Sequence, residues 1–325
     1  MVKLDKKDRK LLYALELNAR ASELELAKKT LLSREVVRYR LEKLEKQGVI
    51  RSYNTIVDTL RLGFLMFRTY YKFTGLTAEK EKELIAFLMA RVNWVTKVEG
   101  KWNLTTMNFV ESIYEYEEFI KELKQEFGQY IQDYWVSTMT KLHHYKRGYL
   151  LDGRKGDEDL IMGIGKSEKV REIDALDKKI LNIIITNARM KYIDIASKLK
   201  VTPKLVKERI KKMIDSKVIL GFVTFLDINK LDKAYFKVHF KLKNYSLQKF
   251  RSLLQYSLQH PDIVYVVEAV GGDDLEIEVQ VDNNQELYKI IRDMQLKFSD
   301  VIQDYYFMEY TTEYKFDYLP KRMSA

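Results

Sequence analysis

Ser33–Tyr53, SREVVRYRLEKLEKQGVIRSY, recurs 169 residues further on as Thr202–Phe222, TPKLVKERIKKMIDSKVILGF, aligned without a gap. Each copy predicts a helix opened by a hydroxyl cap, because a serine or threonine oxygen accepts an orphan amide proton of the first turn. Pro203 suits the first helical position, where no N–H partner is lost. Val37, Leu41 and Leu44 recur at helical spacing, as do Val206, Ile210 and Met213, so one face packs on a core. The other face carries Arg34, Arg38 and Lys43 in the first copy and Lys204, Lys207, Lys211 and Lys212 in the second. A basic helix on the surface of a small domain has the shape and charge that fit a DNA major groove.

Upstream of the first copy, Asp5 and Asp8 predict a capped helix with an apolar stripe at Leu11, Leu12 and Leu15, ending near Asn18-Ala19-Arg20. Ser22-Glu23-Leu24-Glu25 has the spacing of a capping box and opens a short second helix through Leu26 and Ala27. Downstream, Gly48 stops the basic helix in the left-handed position. Val49–Tyr53 and Thr55–Val57 read as two short strands, a wing beside a helix-turn-helix.

From about Leu60 the period changes. Leu65–Phe73, Val92–Val98, Leu104–Val110 and Ile131–Thr140 read as strands, with helices over Ala78–Arg91 and Ile113–Phe127. That order, βαββαβ, is the ferredoxin-like arrangement. Residues 150–172, rich in charge and glycine, read as a flexible linker with a short helical turn at its end. The whole series then repeats. Asp174 and Asp177 answer Asp5 and Asp8, Asn187-Ala188-Arg189 repeats Asn18-Ala19-Arg20, and Ile302–Tyr305 repeats Ile131–Tyr134. Ala234–Leu242, Leu247–Gln259, Ile263–Ala269, Leu275–Val281, Gln285–Phe298 and Val301–Thr311 give βαββαβ again, which makes the chain an internal duplication. The tail from Tyr314 resembles Tyr145–Leu150 only loosely.

The expected fold class is α+β, as two repeats of a winged helix-turn-helix followed by a ferredoxin-like domain. The segments are 1–58, 59–149, a linker over 150–172, 173–228 and 229–325. A formal net charge of +10 favours a polyanionic partner. The absence of cysteine excludes disulfides, thiolate metal sites and cysteine nucleophiles. No signal-peptide run or membrane-length apolar stretch is present, so the chain is expected to be soluble and cytoplasmic.

These residues resemble the Lrp/AsnC family of transcriptional regulators, twice over. Leu4-Asp5, Asp8, Leu11-Leu12, Asn18-Ala19-Arg20, Leu26-Ala27, Ser33, Arg40-Leu41 and Gly48-Val49-Ile50 carry the family pattern. The second copy departs from it at Lys191, Lys217 and Leu220-Gly221, which replace Ser22, Gly48 and Arg51-Ser52. The resemblance implies double-stranded DNA as partner, ferredoxin-like domains that pair with one another, and a small-molecule effector such as an amino acid. It places that effector at the turn holding Gly271, Asp273 and Asp274; the first repeat has Gly100-Lys101-Trp102-Asn103 there, without an aspartate. A fused duplication implies an intrachain pseudo-dimer with two unlike readers.

The residues expected to touch DNA are Ser33, Arg34, Arg38, Tyr39, Arg40, Lys43, Arg51, Thr202, Lys204, Lys207, Arg209 and Lys211. Arginine takes guanine bidentately, so Arg34 and Arg38 are the better sequence readers. Arg40 and Arg209 lie nearer the packed face and reach phosphate or brace the fold. Arg51 is expected on the wing. Glu35, Glu42 and Glu208 oppose phosphate. His143-His144 point to opposite faces of a strand, which disfavours a shared metal, and His239 and His260 have no companion ligands. Tyr70, Tyr71, Phe73, Trp94, Trp102, Tyr134 and Trp135 read as sheet packing. No cofactor, metal or catalytic residue is expected, and the chain is read as no enzyme. Two alternatives stand beside the regulator. Siroheme decarboxylases share the two-domain architecture, although the histidine-cysteine signature of those enzymes is missing here. A sequence-indifferent DNA-packing protein is the other.

Overall fold

The computed structural model describes residues 2–151, 160–164, 170–317, 319, 320 and 323. Most of the expected linker, 152–159 and 165–169, and much of the extreme tail therefore lie outside the described residues. The first repeat comprises α1 (Lys6–Leu17), α2 (Glu23–Thr30), α3 (Arg34–Lys46) and β1 (Ile50–Val57), then β2 (Leu65–Phe73), α4 (Ala78–Arg91), β3 (Trp94–Gly100), β4 (Leu104–Val110), α5 (Ile113–Phe127) and β5 (Ile131–Tyr145). A strand β6 (Leu160–Ile164) follows. The second repeat comprises α6 (Ala175–Ile184), α7 (Tyr192–Leu199), α8 (Pro203–Asp215), β7 (Ile219–Leu226), β8 (Ala234–Leu242), α9 (Leu247–Gln259), β9 (Ile263–Val270), β10 (Leu275–Val281), α10 (Asn284–Lys297) and β11 (Ile302–Phe316).

The helix starts follow local chemistry. Asp5 and Ser22 both complete capping boxes, with Asp8 and Glu25. Ser33 and Thr202 accept the amide protons of Val36 and Leu205 at 3.3 and 3.2 Å. Lys191, which stands in place of Ser22, makes no side-chain cap. Gly48 ends α3 at φ +67°, and Lys217 takes the equivalent left-handed turn at φ +61° despite its side chain.

The two short strands expected after α3 form as one. Val49–Tyr53 and Thr55–Val57 merge into the single strand β1, which pairs antiparallel with β7 of the other repeat: Tyr53 faces Thr224 and Val57 faces Ile219. Asn54 carries no positive φ and no glycine follows it, so the chain runs straight, and its free edge is satisfied by its duplicate. The exchange extends to the cores. Val57 packs among Ile180, Leu181 and Ile210 of the second helical unit, while Leu226 packs among Leu11, Leu12 and Val37 of the first.

The two ferredoxin-like units also merge. Their strand orders, β3-β4-β2-β5 and β9-β10-β8-β11, join through β5–β9 and β11–β3 into a closed antiparallel ring of eight strands. Closure leaves these strands without an edge. β5 and β11 run five residues beyond the ends read from the sequence, because their last residues lie in the segments that pair with the other unit. Outward side chains of β2 (Phe67, Tyr71 and Phe73) pack beneath Leu84 and Leu88 of α4 and Phe119 and Leu123 of α5. Those of β8 and β10, including Phe236, Val238, Ile277 and Val279, pack beneath α9 and α10.

The linker also departs from expectation. Its apolar run Leu160–Ile164 is a strand hydrogen-bonded to Leu142–Tyr145, and no helix forms over 170–174. The loosely resembling tails occupy matching positions: Leu150 is buried in the core of the first helical unit and Leu319, 169 residues on, in that of the second. Among the described residues no helix is long and apolar enough to cross a membrane.

Candidate nucleic-acid interface and barrel lumen

Each recognition helix, α3 and α8, is the third of a three-helix unit, and its apolar face is fixed by Val37, Leu41 and Leu44 or by Val206, Ile210 and Met213, all buried. The opposite faces are open to solvent. Arg34, Arg38 and Tyr39 are exposed on α3, as are Lys204, Lys207 and Lys211 on α8.

The two faces differ in charge. Glu23, at the start of α2, lies 3.0 Å from Arg34 Nε and 2.9 Å from Arg38 Nη2. Its hydrogen bonds with Arg38 and Arg34 hold the carboxyl down to about 2. The equivalent position in the second repeat is Tyr192. Lys204 and Lys207 have no ion-pair partner among the described residues, whereas Lys211 lies 2.5 Å from Asp215. The first reader thus presents two arginines clamped by a carboxylate, and the second presents open lysines. Glu23→Gln removes a negative charge beside these two exposed arginines. Binding of double-stranded DNA at low salt is expected to tighten roughly fivefold, the scale of one charge pair in water; weaker binding in a fluorescence-anisotropy titration would mean that Glu23 orients the arginines for DNA.

Two of the DNA candidates, Arg40 and Arg209, are ion-paired within their own helical units. Arg40, largely buried, is bonded to Asp5 at 2.8 Å and Asp8 at 2.5 Å, and Arg209 is bonded to Asp174 with Asp177 3.4 Å away. Each guanidinium ties its recognition helix to the start of the first helix of its unit. Lys43 lies 3.7 Å from the same Asp8. Arg51 is not on a wing: its Nη1 lies 3.1 Å from Glu313 of β11, and its guanidinium stacks over Phe225 of β7. It joins the ribbon to the barrel.

The repeated Asn-Ala-Arg triplets form a reciprocal clasp. Arg20 donates to the carbonyls of Ala188 and Met190, and Arg189 donates to those of Ala19 and Ala21 at 2.8 and 3.0 Å. Arg20 also lies over Phe222 and Tyr192, and Arg189 over Tyr53. With Ala19 N–H donating to Phe222 O and Ala188 N–H to Tyr53 O, the two helical units are locked across the β1–β7 ribbon.

Inside the barrel lies a set of charges that the sequence reading did not single out. Lys237 is fully buried, with Nζ 2.7 Å from Glu276 and 3.2 Å from Glu278. Arg68 stands 3.4 Å from Glu278 and 3.8 Å from Glu276. Tyr70 donates to Glu276 at 3.0 Å, and Tyr235 and Tyr310 donate to Glu278. Burial pushes the Glu276 carboxyl up, but Lys237, His239 and Arg68 outweigh it and bring it down to about 2. His239 stacks on Tyr306 with ring centroids 4.6 Å apart, and burial holds its imidazole below the ordinary range. The signal was present: Arg68 and Lys237 interrupt apolar strands, and Leu275–Val281 alternates strictly. Alternation reads as a strand with one wet face; closure of the barrel turns that face inward.

At the expected effector turn, Gly271 and Gly272 adopt φ +74° and +89°. Asp273 accepts from Tyr306 at 2.6 Å and Asp274 accepts from the amide of Leu242 at 2.8 Å, so both carboxylates are engaged within the chain. His143 bonds Glu268 at 2.7 Å, while His144 stacks on Tyr265. His260 lies against Tyr256. Tyr71, Phe73 and Tyr134 stack on the outer face of the sheet, and Tyr70, Trp94, Trp102 and Trp135 line the inner one or its rim.

The winged helix-turn-helix DNA-binding family model matches residues 4–51 and again residues 173–219. An uncharacterized HTH-type transcriptional regulator of Pyrococcus furiosus is 30% identical over 130 residues, which are 39% of this chain and 84% of that one. The chain belongs to the Lrp/AsnC family of transcriptional regulators. An AsnC family transcriptional regulator from Agrobacterium tumefaciens matches in structure over 47% of this chain and 100% of its own, at 23% identity and a TM-score of 0.42. The siroheme decarboxylase NirDL matches over 96% of this chain and 93% of its own, at 13% identity and a TM-score of 0.64. That last match overturns the expectation of no enzyme, because the tandem architecture of this Lrp/AsnC chain is also the architecture of an enzyme. At that identity the likeness shows the fold.

Proposed function

We propose that this Lrp/AsnC-family chain is a sequence-specific, double-stranded DNA-binding regulator in which one polypeptide reads two unlike half-sites. The observation that carries the reading is the pair of exposed basic helices, one offering arginines and one lysines, held in one relation by the clasp of Arg20 and Arg189 and the shared ribbon. Groove-entering helices make base contacts near their N-terminal turns, where Arg34, Arg38, Lys204 and Lys207 stand. Ser33, Thr202 and Tyr39 flank them, and Lys43 and Lys211 reach toward phosphate. Arg51, Arg40 and Arg209 are assigned to bracing. A winged contact is no part of the reading, since the strands that would form wings hold the two units together.

Titration of a labelled duplex between about 50 and 200 mM salt tests it. Several phosphate contacts give a linear fall of log K with log salt of about 0.9 per contact. Absent or salt-independent retention contradicts the proposal. A continuous, sequence-indifferent footprint would replace it with DNA packing.

A further inference from the structure

A cavity of about 170 Å³ lies between the mouth of the barrel and the underside of the β1–β7 ribbon. Both repeats and the ribbon build its wall. Met66, Met107 and Met139 come from the first ferredoxin-like unit, Tyr235 and Glu278 from the second, and Val57 and Val223 from the ribbon. Most of the wall is apolar, and a cavity of about 150 Å³ lined by apolar side chains takes up benzene. The space therefore suits one ring with a few attached atoms and is too small for a macrocycle.

The charges on the wall decide the rest. Arg68 is paired with Glu278, Arg147 with Glu16, and Glu313 with Arg51. Each arginine and glutamate lining the space, among the described residues, is thus already paired, and burying an unpaired charge is costly. Arg68 Nε, by contrast, is a buried N–H with no acceptor. A buried donor without an acceptor costs free energy that a ligand oxygen recovers. We infer that this cavity is a binding site for a small uncharged molecule of single-ring size carrying one hydrogen-bond acceptor, and that its occupancy alters DNA affinity. The coupling rests on the regulator reading above. Its route is physical: Ile56, Val57, Val223 and Phe225 form the cavity roof, and those same strands leave α3 and α8, so filling the space presses on the ribbon that carries both readers and shifts the separation it sets.

Three matched probes test it on the full chain: acetophenone, ethylbenzene and benzoate, titrated calorimetrically. Acetophenone is expected to bind saturably, ethylbenzene roughly tenfold more weakly for want of the acceptor, and benzoate least. In protein with 13C-labelled methionine methyls, acetophenone is expected to shift Met66, Met107 and Met139 and to leave the exposed Met89 unmoved. Met107→Trp and Met139→Phe fill the space, and whichever still unfolds cooperatively in urea is expected to lose uptake; the methyl shifts locate the ligand whether or not either variant folds. Saturating acetophenone is expected to change the DNA dissociation constant at least threefold in the natural sequence. No saturable uptake, benzoate binding as tightly as acetophenone, or shifts away from the three methionines would overturn the site. Uptake with unaltered DNA affinity would overturn the coupling. A chain that retains no DNA with or without acetophenone would overturn the regulator reading and the coupling with it, while uptake and methyl shifts still decide the site.

Discussion

Lys237→Met is expected to destabilise the chain by about 3–5 kcal/mol, the usual cost of removing one partner from a buried ion cluster. Lys237 has no solvent access and serves both Glu276 and Glu278, so its loss leaves two buried carboxylates with Arg68 as their nearest cation. Urea unfolding as a function of pH separates this cause from lost packing. In the natural chain the Glu276 carboxyl sits at about 2, below the ordinary 4.5. A carboxylate whose pKa is depressed in the folded state stabilises that state above the unfolded pKa, and the benefit disappears as pH falls from about 4.5 through 2. In Lys237→Met, burial prevails and the folded pKa of Glu276 rises above its unfolded value. The sign then reverses: stability declines as pH climbs past about 4.5. A variant that keeps the natural pH slope, or loses less than about 1 kcal/mol, would show that the lumen cluster does not hold the barrel closed. Because both carboxylates come from β10 and Arg68 from β2 of the other repeat, the cluster joins the two ferredoxin-like units through charge as well as strand pairing.

On the DNA side, the two readers are expected to fail in different ways. Lys204→Ala with Lys207→Ala removes two exposed cations and is expected to lower the salt slope by about 2 and to cost less discrimination between preferred and scrambled DNA than the arginine substitutions do. Arg34→Ala or Arg38→Ala is expected to cost about 1–3 kcal/mol on the preferred sequence and far less on others, as loss of a bidentate guanine contact does. Glu23 is bonded to both guanidinium groups, so the arginine substitutions are also expected to free its carboxylate. Competition titrations with preferred and scrambled duplexes measure both effects. If both sets of substitutions weaken preferred and scrambled DNA to the same degree, neither helix reads sequence.

Much of this was legible in the residues. Caps at Asp5, Ser22, Ser33 and Thr202, and the apolar stripes behind them, located α1, α2, α3 and α8 because those signals are local. The ferredoxin-like order followed from strand and helix periods that each segment carries by itself. What the sequence did not display is partnership. A strand with a free edge looks the same whether its mate is the next hairpin arm or a duplicate 169 residues away, so the ribbon of β1 and β7 read as two wings. Arg51 was misplaced with it. Arg40 and Arg209 look like any basic residue on a recognition helix until Asp5, Asp8, Asp174 and Asp177 are brought beside them. The lumen charges were hidden by the same limit, since Glu276 and Glu278 alternate as a wet face would and only the closed barrel buries them. Arg20 and Arg189 were visible as a repeat, but their reciprocal hold on the opposite unit needs the two turns side by side.

In the function proposed above, one chain carries two DNA readers at one fixed separation. The most direct measurement takes the tightest duplex from in vitro selection and inserts five base pairs, about half a helical turn, between its two half-sites. A rigid pair of readers needs half-sites that match it both in rotational phase and in distance along the duplex, and one added turn lengthens that distance by about 34 Å. The insertion is expected to weaken binding to the level of a single half-site, ten inserted base pairs are not expected to restore it, and one chain is expected to occupy the parent duplex. Equal affinity for the parent and five-pair duplexes, or a parent complex holding two chains per duplex with each reader acting alone, would contradict the proposal.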